Sequence, residues 1–95
     1  MPKEFGARVD NNHRLIVEYL QLHGYVVVET YRQGFGCPDL FCMSKSQHWV
    51  AFEIKTTHGK LSPLERDLFD RCGEGAPLFT VTTPEQAVEI MEAYD

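Results

Sequence analysis

Apolar positions along the chain alternate between two periods, and the switches between them mark seven elements. Leu15, Ile16, Tyr19 and Leu20 recur at helical spacing. Asp10, Asn11 and Asn12 precede them as helix starters, and Gly24 closes the segment as a left-handed cap. Asn12 falls on the same face as the stripe, one turn earlier, while Glu18 points away. Residues 1–9 carry no pattern and read as a loose arm. Residues 25–31 are β-branched and aromatic and predict a strand, with the Val26–Val28 run as core. Gly34 and Gly36 then mark a turn or a close backbone approach, with Phe35 as loop packing. Pro38 keeps Cys37 extended and leads into a second strand over 39–43. A polar turn over 44–47 makes a hairpin with a third strand over 48–56. There the parity is informative: Val50, Phe52 and Ile54 face one side, and Ala51, Glu53 and Lys55 the other.

The second half is punctuated by two similar helix starts. Ser62 caps, Pro63 takes the first helical position and Glu65 closes a capping box; Leu64, Leu68, Phe69 and Cys72 then form a buried stripe up to Gly73 and Gly75. A short strand over 77–81 follows. Thr83, Pro84, Glu85 and Gln86 repeat the start signal for a last helix striped by Ala87, Ile90, Met91 and Tyr94. The order αβββαβα predicts an α/β fold whose four-stranded mixed sheet is flanked by helices.

Length and composition narrow the class. The chain has 95 residues and 43% hydrophobic content, which suits one domain over 1–95 with a modest core. No apolar run approaches the roughly 20 residues of a membrane helix, and no signal-peptide core follows the first residues. A cytosolic protein with no membrane partner is expected. Cys37, Cys42 and Cys72 are odd in number and irregular in spacing, so neither a disulfide framework nor a zinc site is expected; Cys42 and Cys72 read as small core residues. His13, His23, His48 and His58 lack metal-ligand spacing and read as surface or packing histidines. The net charge of -5 argues against a strongly basic nucleic-acid binder. Four of the acids, Glu85, Glu89, Glu92 and Asp95, crowd the last helix, where no Lys or Arg offsets them. Elsewhere Arg8, Arg14, Arg32, Lys45, Lys55, Lys60, Arg66 and Arg71 remain for a local basic surface.

The candidate chemistry sits between Gly36 and Lys55. A Pro-Asp at 38–39 is followed fourteen residues on by Glu53-Ile54-Lys55. Asp39 at the start of one strand and Glu53 on its neighbour supply two carboxylates across a short distance. Mg²⁺ takes oxygen ligands, accepts one or two carboxylates and keeps several waters. The backbone carbonyl of Ile54 is a candidate third ligand. Lys55 shares the parity of Glu53, so its ammonium is placed to orient an attacking water or to stabilise developing negative charge. Such a set suits phosphodiester hydrolysis with Mg²⁺, or Mn²⁺ in its place. The plain structural alternative makes Asp39 a turn acid and Glu53/Lys55 a solvated pair; the Pro, the glycine-rich turn and the apolar strands around both halves favour the site. His58 and Lys60, beside Gly59, and Arg8 and Arg32 are candidate DNA contacts. Trp49, on the parity of Glu53, is a platform under the site or an edge cover.

These residues resemble the PD-(D/E)XK nuclease superfamily, and within it the small VRR-NUC or Holliday-junction-resolvase-like proteins of phages and prophages. Gly36-Cys37-Pro38-Asp39-Leu40 stands where such proteins carry G-x-P-D-L, Glu53-Ile54-Lys55 where they carry E-x-K, and Gly59-Lys60-Leu61-Ser62-Pro63 looks like their entry to the second helix. Asp10-Asn11-Asn12-His13 is similar to a D-x-N-[QH] opening. The resemblance covers nearly the whole chain. It implies a restriction-endonuclease-like αβββαβ core and a metal-dependent DNA endonuclease, with branched or junction DNA as a candidate substrate. Two departures stand out. Where many relatives carry a first-helix Glu in the metal site, this chain offers Asp10 and Asn12; where many carry Gln after the L-[ST]-P-x segment, it has Glu65.

Two other readings compete: a catalytically silent nucleic-acid- or protein-binding module on the same fold, and an interaction protein that binds no nucleic acid, favoured by the acidic balance. The intact Asp39, Glu53 and Lys55 separate the nuclease from both. A domain this small covers little of a duplex, so a homodimer is expected.

Overall fold

Three antiparallel-capable segments, the second and third joined by a tight turn, make a meander, and a helical crossover adds the next strand in parallel. That is the sheet observed. The computed structural model describes residues 11–56 and 58–95; the arm expected over 1–9, with Arg8, and Asp10 lie outside the described residues. The elements are α1 (Asn11–Leu22), β1 (Val26–Glu29), β2 (Leu40–Met43), β3 (Trp49–Ile54), α2 (Pro63–Cys72), β4 (Leu78–Val81) and α3 (Pro84–Tyr94), with a short 3-10 turn at Tyr31–Gln33. Strand order is β1-β2-β3-β4; β1 and β3 run antiparallel to β2, and β4 runs parallel to β3 after the α2 crossover. The expected α/β order and four-stranded mixed sheet are both present.

Register sorts the side chains onto two unlike faces. Leu40 pairs with Phe52 and Cys42 with Val50, so these four project together toward α1 and α3. Ile16, Val17, Leu20, Ala87, Val88 and Met91 meet them from the helices and complete the buried core. Burial pushes the Cys42 thiol up to about 12, which leaves it an inert, small core group. The other face carries Phe41, Trp49, Ala51 and, further along β3, Glu53. α2 covers that face incompletely. A cleft of about 600 Å³ remains among the 33–38 loop, Phe41, Trp49, Ala51 and the Leu68 and Cys72 side of α2.

Both sequence-coded helix starts are realised. Ser62 and Glu65 exchange side-chain and backbone hydrogen bonds at the head of α2, and Thr83 and Gln86 do so at the head of α3. The β2–β3 turn closes with Gln47 at φ 70° and a Gln47 N–H bond to the Ser44 carbonyl at 3.0 Å.

Several packing expectations are corrected. α2 has no buried residue: Leu64 is 56% exposed and Cys72 is exposed, because the helix lies over one end of a sheet face with no second described helix beside it. On α1 the buried stripe is His13, Ile16, Val17 and Leu20, while Leu15 is 48% exposed. Helical spacing permits either stripe, and contact with α3 selects the one that includes Val17. β1 is an edge strand whose Val26 and Val28 lie exposed on the face away from α1. It also stops before Tyr31: the Thr30 N–H still reaches the Asp39 carbonyl across the sheet, but the Thr30 carbonyl accepts from the Gln33 N–H and turns the chain into the 3-10 turn. Phe35 is 94% exposed at the rim of the cleft.

Burial on this scale predicts unequal costs for similar truncations. Phe52→Ala should lose about 3–5 kcal/mol of unfolding free energy, whereas Leu15→Ala should lose less than about 1 kcal/mol. Urea denaturation of the two variants checks this, and similar losses would show that α1 buries the Leu15 face after all.

Candidate active site

Asp39 is held by its backbone before its side chain does anything. Its N–H donates to the Phe52 carbonyl at 3.0 Å on β3, and its own carbonyl accepts from Thr30 N–H at 2.8 Å. The Thr30 hydroxyl reaches the Pro38 carbonyl at 2.7 Å, so the Pro-Asp peptide is clamped from both sides. One carboxylate oxygen of Asp39, Oδ2, accepts from Ile54 N–H at 2.7 Å. That bond pulls the carboxylate onto the Glu53–Ile54–Lys55 segment and leaves the other oxygen uncommitted to it.

Glu53 faces the same space from β3 and is only 2% exposed. Burial, then the neighbouring Asp39 charge, then hydrogen bonds with Glu65 and Asp39 push its pKa up to about 9. Lys55 lies two residues on, at the end of the strand, where its N–H donates to the Val81 carbonyl at 3.0 Å. Its ammonium sits 2.9 Å from Glu65 Oε1 and 3.6 Å from Glu53 Oε2. Burial alone lowers the affinity of Lys55 for its proton, but the Glu65 hydrogen bond and the Glu65, Glu53 and Asp39 charges outweigh it and hold the pKa above its ordinary value. For Glu65, burial raises the pKa, and the Ser62 N–H, Lys55 and Glu53 more than reverse that.

Asn12 joins from α1, where its side-chain amide donates to the Lys55 carbonyl at 3.3 Å. It therefore contacts the backbone of the site strand. His13, next to it, is a buried packing residue bonded to Glu29 at 2.9 Å and edge-on to Tyr31. Arg32 is exposed and is occupied with Tyr31, donating to its hydroxyl at 2.9 Å with the guanidinium over its ring. His58 and Lys60 are exposed on the loop that follows Lys55. Gly59 between them packs closely, since a Cβ there would lie 3.3 Å from that of Lys55. Arg8 and Asp10, expected near the site, lie outside the described residues.

Among solved structures, a VRR-NUC domain is similar to this chain with a TM-score of 0.62 and 24% identity, covering 86% of this chain and 91% of that one. This chain has the VRR-NUC fold. No family model and no curated protein matches the sequence. Within the VRR-NUC fold of this chain, α2 delivers a residue that the motif spacing alone did not add to the site. Glu65 reads from sequence as a helix cap, and it is one; the same carboxylate also reaches Lys55. Its place where relatives carry Gln was the available signal.

The donor set suits a hard divalent cation. Among the described residues no group of three or more His, Cys, Asp and Glu side chains is disposed to cage a metal ion. What converges is a pair of carboxylates, Asp39 and Glu53, next to the Ile54 peptide, with Glu65 bonded to the Ser62 N–H, to Lys55 and to Glu53. Two carboxylate donors are the chemistry of Mg²⁺ sites rather than of the closed nitrogen and sulfur sets of structural zinc. Electrostatics point the same way, because a buried acid raised by its neighbours is stabilised by any cation placed between them.

The raised Glu53 pKa carries a pH dependence whose sign is fixed. The folded-state penalty is absent below the ordinary carboxyl value of 4.5 and grows as pH climbs toward about 9, since only the unfolded chain releases the proton freely in that window. In buffer free of divalent cations, Glu53→Gln should match the parent Tm near pH 4 and exceed it by about 4–8 °C near pH 9. Parallel thermal melts across that range test this; a constant offset would show that Glu53 ionises normally.

Proposed function

We propose that this chain is a divalent-metal-dependent DNA endonuclease, with branched or junction DNA as the substrate class. One observation carries the reading: the Ile54 N–H draws the Asp39 carboxylate onto Glu53, with the Lys55 ammonium 3.6 Å from Glu53. Asp39 and Glu53, with the Ile54 carbonyl, are the groups that would hold Mg²⁺ or Mn²⁺. When bound, the ion supplies a polarised water and neutralises charge on the phosphate. Lys55 stabilises negative charge that develops on the phosphate oxygens, or orients the attacking water, from a position on the same strand face. Asn12 holds the Lys55 carbonyl, and with it the strand end. His58 and Lys60 are proposed phosphate contacts from the adjoining loop.

Cleavage of supercoiled plasmid and of a four-way junction, with Mg²⁺ and with EDTA, tests the reading. Parent protein should cut one of them in an EDTA-sensitive way, and Asp39→Ala should abolish cutting. Lys55→Met should lower kcat by about 10²–10³-fold while changing DNA affinity less than about threefold. Equal losses in both would assign Lys55 to binding. If no DNA is cut under any metal condition, the silent binding module takes its place.

A homodimer belongs to the same proposal. Among the described residues β1 leaves an open sheet edge, and Val26, Val28 and Trp49 expose apolar surface on the face that α2 does not cover. Pairing two copies there would cover that surface and give two sites for two strands. Sedimentation should find a dimer for the parent chain and a monomer for Trp49→Glu; a monomeric, active parent would remove the dimer from the reading.

No described helix is long and apolar enough to cross a membrane. A cytoplasmic location is part of the proposal.

A further inference from the structure

The cap of α2 and the lysine of the site share one atom. Glu65 Oε1 accepts from the Ser62 N–H at 2.8 Å, as the third helical residue of a capping box does, and the same oxygen lies 2.9 Å from Lys55 Nζ. This is not a solvated surface pair. The Lys55 and Glu65 side chains are 20% and 17% exposed, against 69% and 61% for the Arg71–Asp67 pair on the outside of the same helix. The oxygen is also fixed by backbone rather than by a free rotamer. Ser62 returns a bond to the Glu65 N–H at 3.3 Å, and the first turn of α2 sits so close to the 33–38 loop that a Cβ at Gly36 would lie 2.7 Å from the Leu64 carbonyl oxygen.

We infer that Glu65 is a positioning residue that holds the Lys55 ammonium off Glu53 and so keeps the Glu53 carboxylate open to a divalent cation. This rests on the metal-dependent reading above and adds to it a residue outside the two-carboxylate motif. The physical argument is competition. An ammonium near Glu53 and Asp39 is attracted to the same oxygens as the cation, and a cation must displace it. Glu65 offers the ammonium a nearer partner, 2.9 Å against 3.6 Å, anchored by the cap of α2. Removing the Glu65 charge therefore acts twice in one direction. The ammonium moves onto Glu53, and the cluster of three carboxylates and one ammonium loses a negative charge.

Glu65→Gln separates this role from the cap, because a glutamine oxygen still accepts from the Ser62 N–H while it gives Lys55 no charge partner. Mn²⁺ titration by calorimetry, without DNA, reads the effect directly. Glu65→Gln should weaken Mn²⁺ binding by roughly 10–100-fold with little change in Tm. In a Lys55→Met background the same substitution should weaken it several-fold less, since no ammonium remains to be placed and only the lost charge acts. Ser62→Ala breaks the reciprocal cap and leaves the Glu65–Lys55 contact, so it should lower Tm and leave Mn²⁺ affinity unchanged. The inference is overturned if Glu65→Gln binds Mn²⁺ like the parent, if it costs as much without Lys55 as with it, or if Ser62→Ala weakens binding equally. In each of those results the parent still binds Mn²⁺ and the metal-dependent reading stands. A parent chain that binds no Mn²⁺ overturns that reading and the inference together.

Discussion

The hydrogen bond from Ile54 N–H to the Asp39 carboxylate, 2.7 Å long, is the constraint on which the candidate site depends. It joins the loop that enters β2 to the end of β3 and spends a backbone donor at a point where the strand has no further ladder partner on that side. Charge-assisted bonds of this kind are stronger and shorter than neutral ones. This one works only because both ends are fixed beforehand. Thr30 and Phe52 pin the Asp39 main chain, and the β3–β4 pairing pins the strand as far as the Lys55 N–H. The glycine-rich 33–38 loop serves the same end, since Gly36 allows the head of α2 to approach within contact distance.

Bringing these groups together costs stability. Asp39, Glu53 and Glu65 crowd one pocket with a single ammonium, and Glu53 has almost no water with which to share its charge. A core built only for stability would place an apolar residue at position 53, as it does at Val50 and Phe52 on the same strand. Retaining an acid there is the pattern expected of a site that trades folding free energy for function. Lys55 and the α2 cap offset part of the cost, and a cation between the carboxylates would offset more.

The two faces of the sheet divide the work. α1 and α3 close one face with a continuous apolar core, and the hairpin turn is tied to the end of α3 through Lys45 and Asp95 and through Ser46 and Tyr94. This packed half supplies the rigidity that precise side-chain placement requires. α2 covers the opposite face only in part, which leaves Glu53 under its head and an apolar cleft toward Trp49. The acids of α3 stand on the packed side, on the far side of the sheet from α2, so the negative net charge of the chain is not concentrated at the proposed DNA-facing residues.

The alternation of periods along the chain was enough to determine seven elements, their order and both helix caps, because those features depend on neighbours within a few residues. Strand parity likewise placed Glu53 and Lys55 on one face and Phe52 on the other. What the sequence left open was which side of each element would find a partner. Leu15 and Val17 lie on opposite flanks of Ile16, and packing against α3 decides between them; Leu64 and Val26 look like core until the described residues are seen to place no second helix above that face. The role of Glu65 at Lys55 was hidden for the same reason. A capping box is complete within four residues, so nothing local signals that its carboxylate also meets a strand end. Local hydrogen bonding and periodicity are written in the chain itself, whereas burial and charge pairing between distant segments exist only once the sheet has brought those segments together.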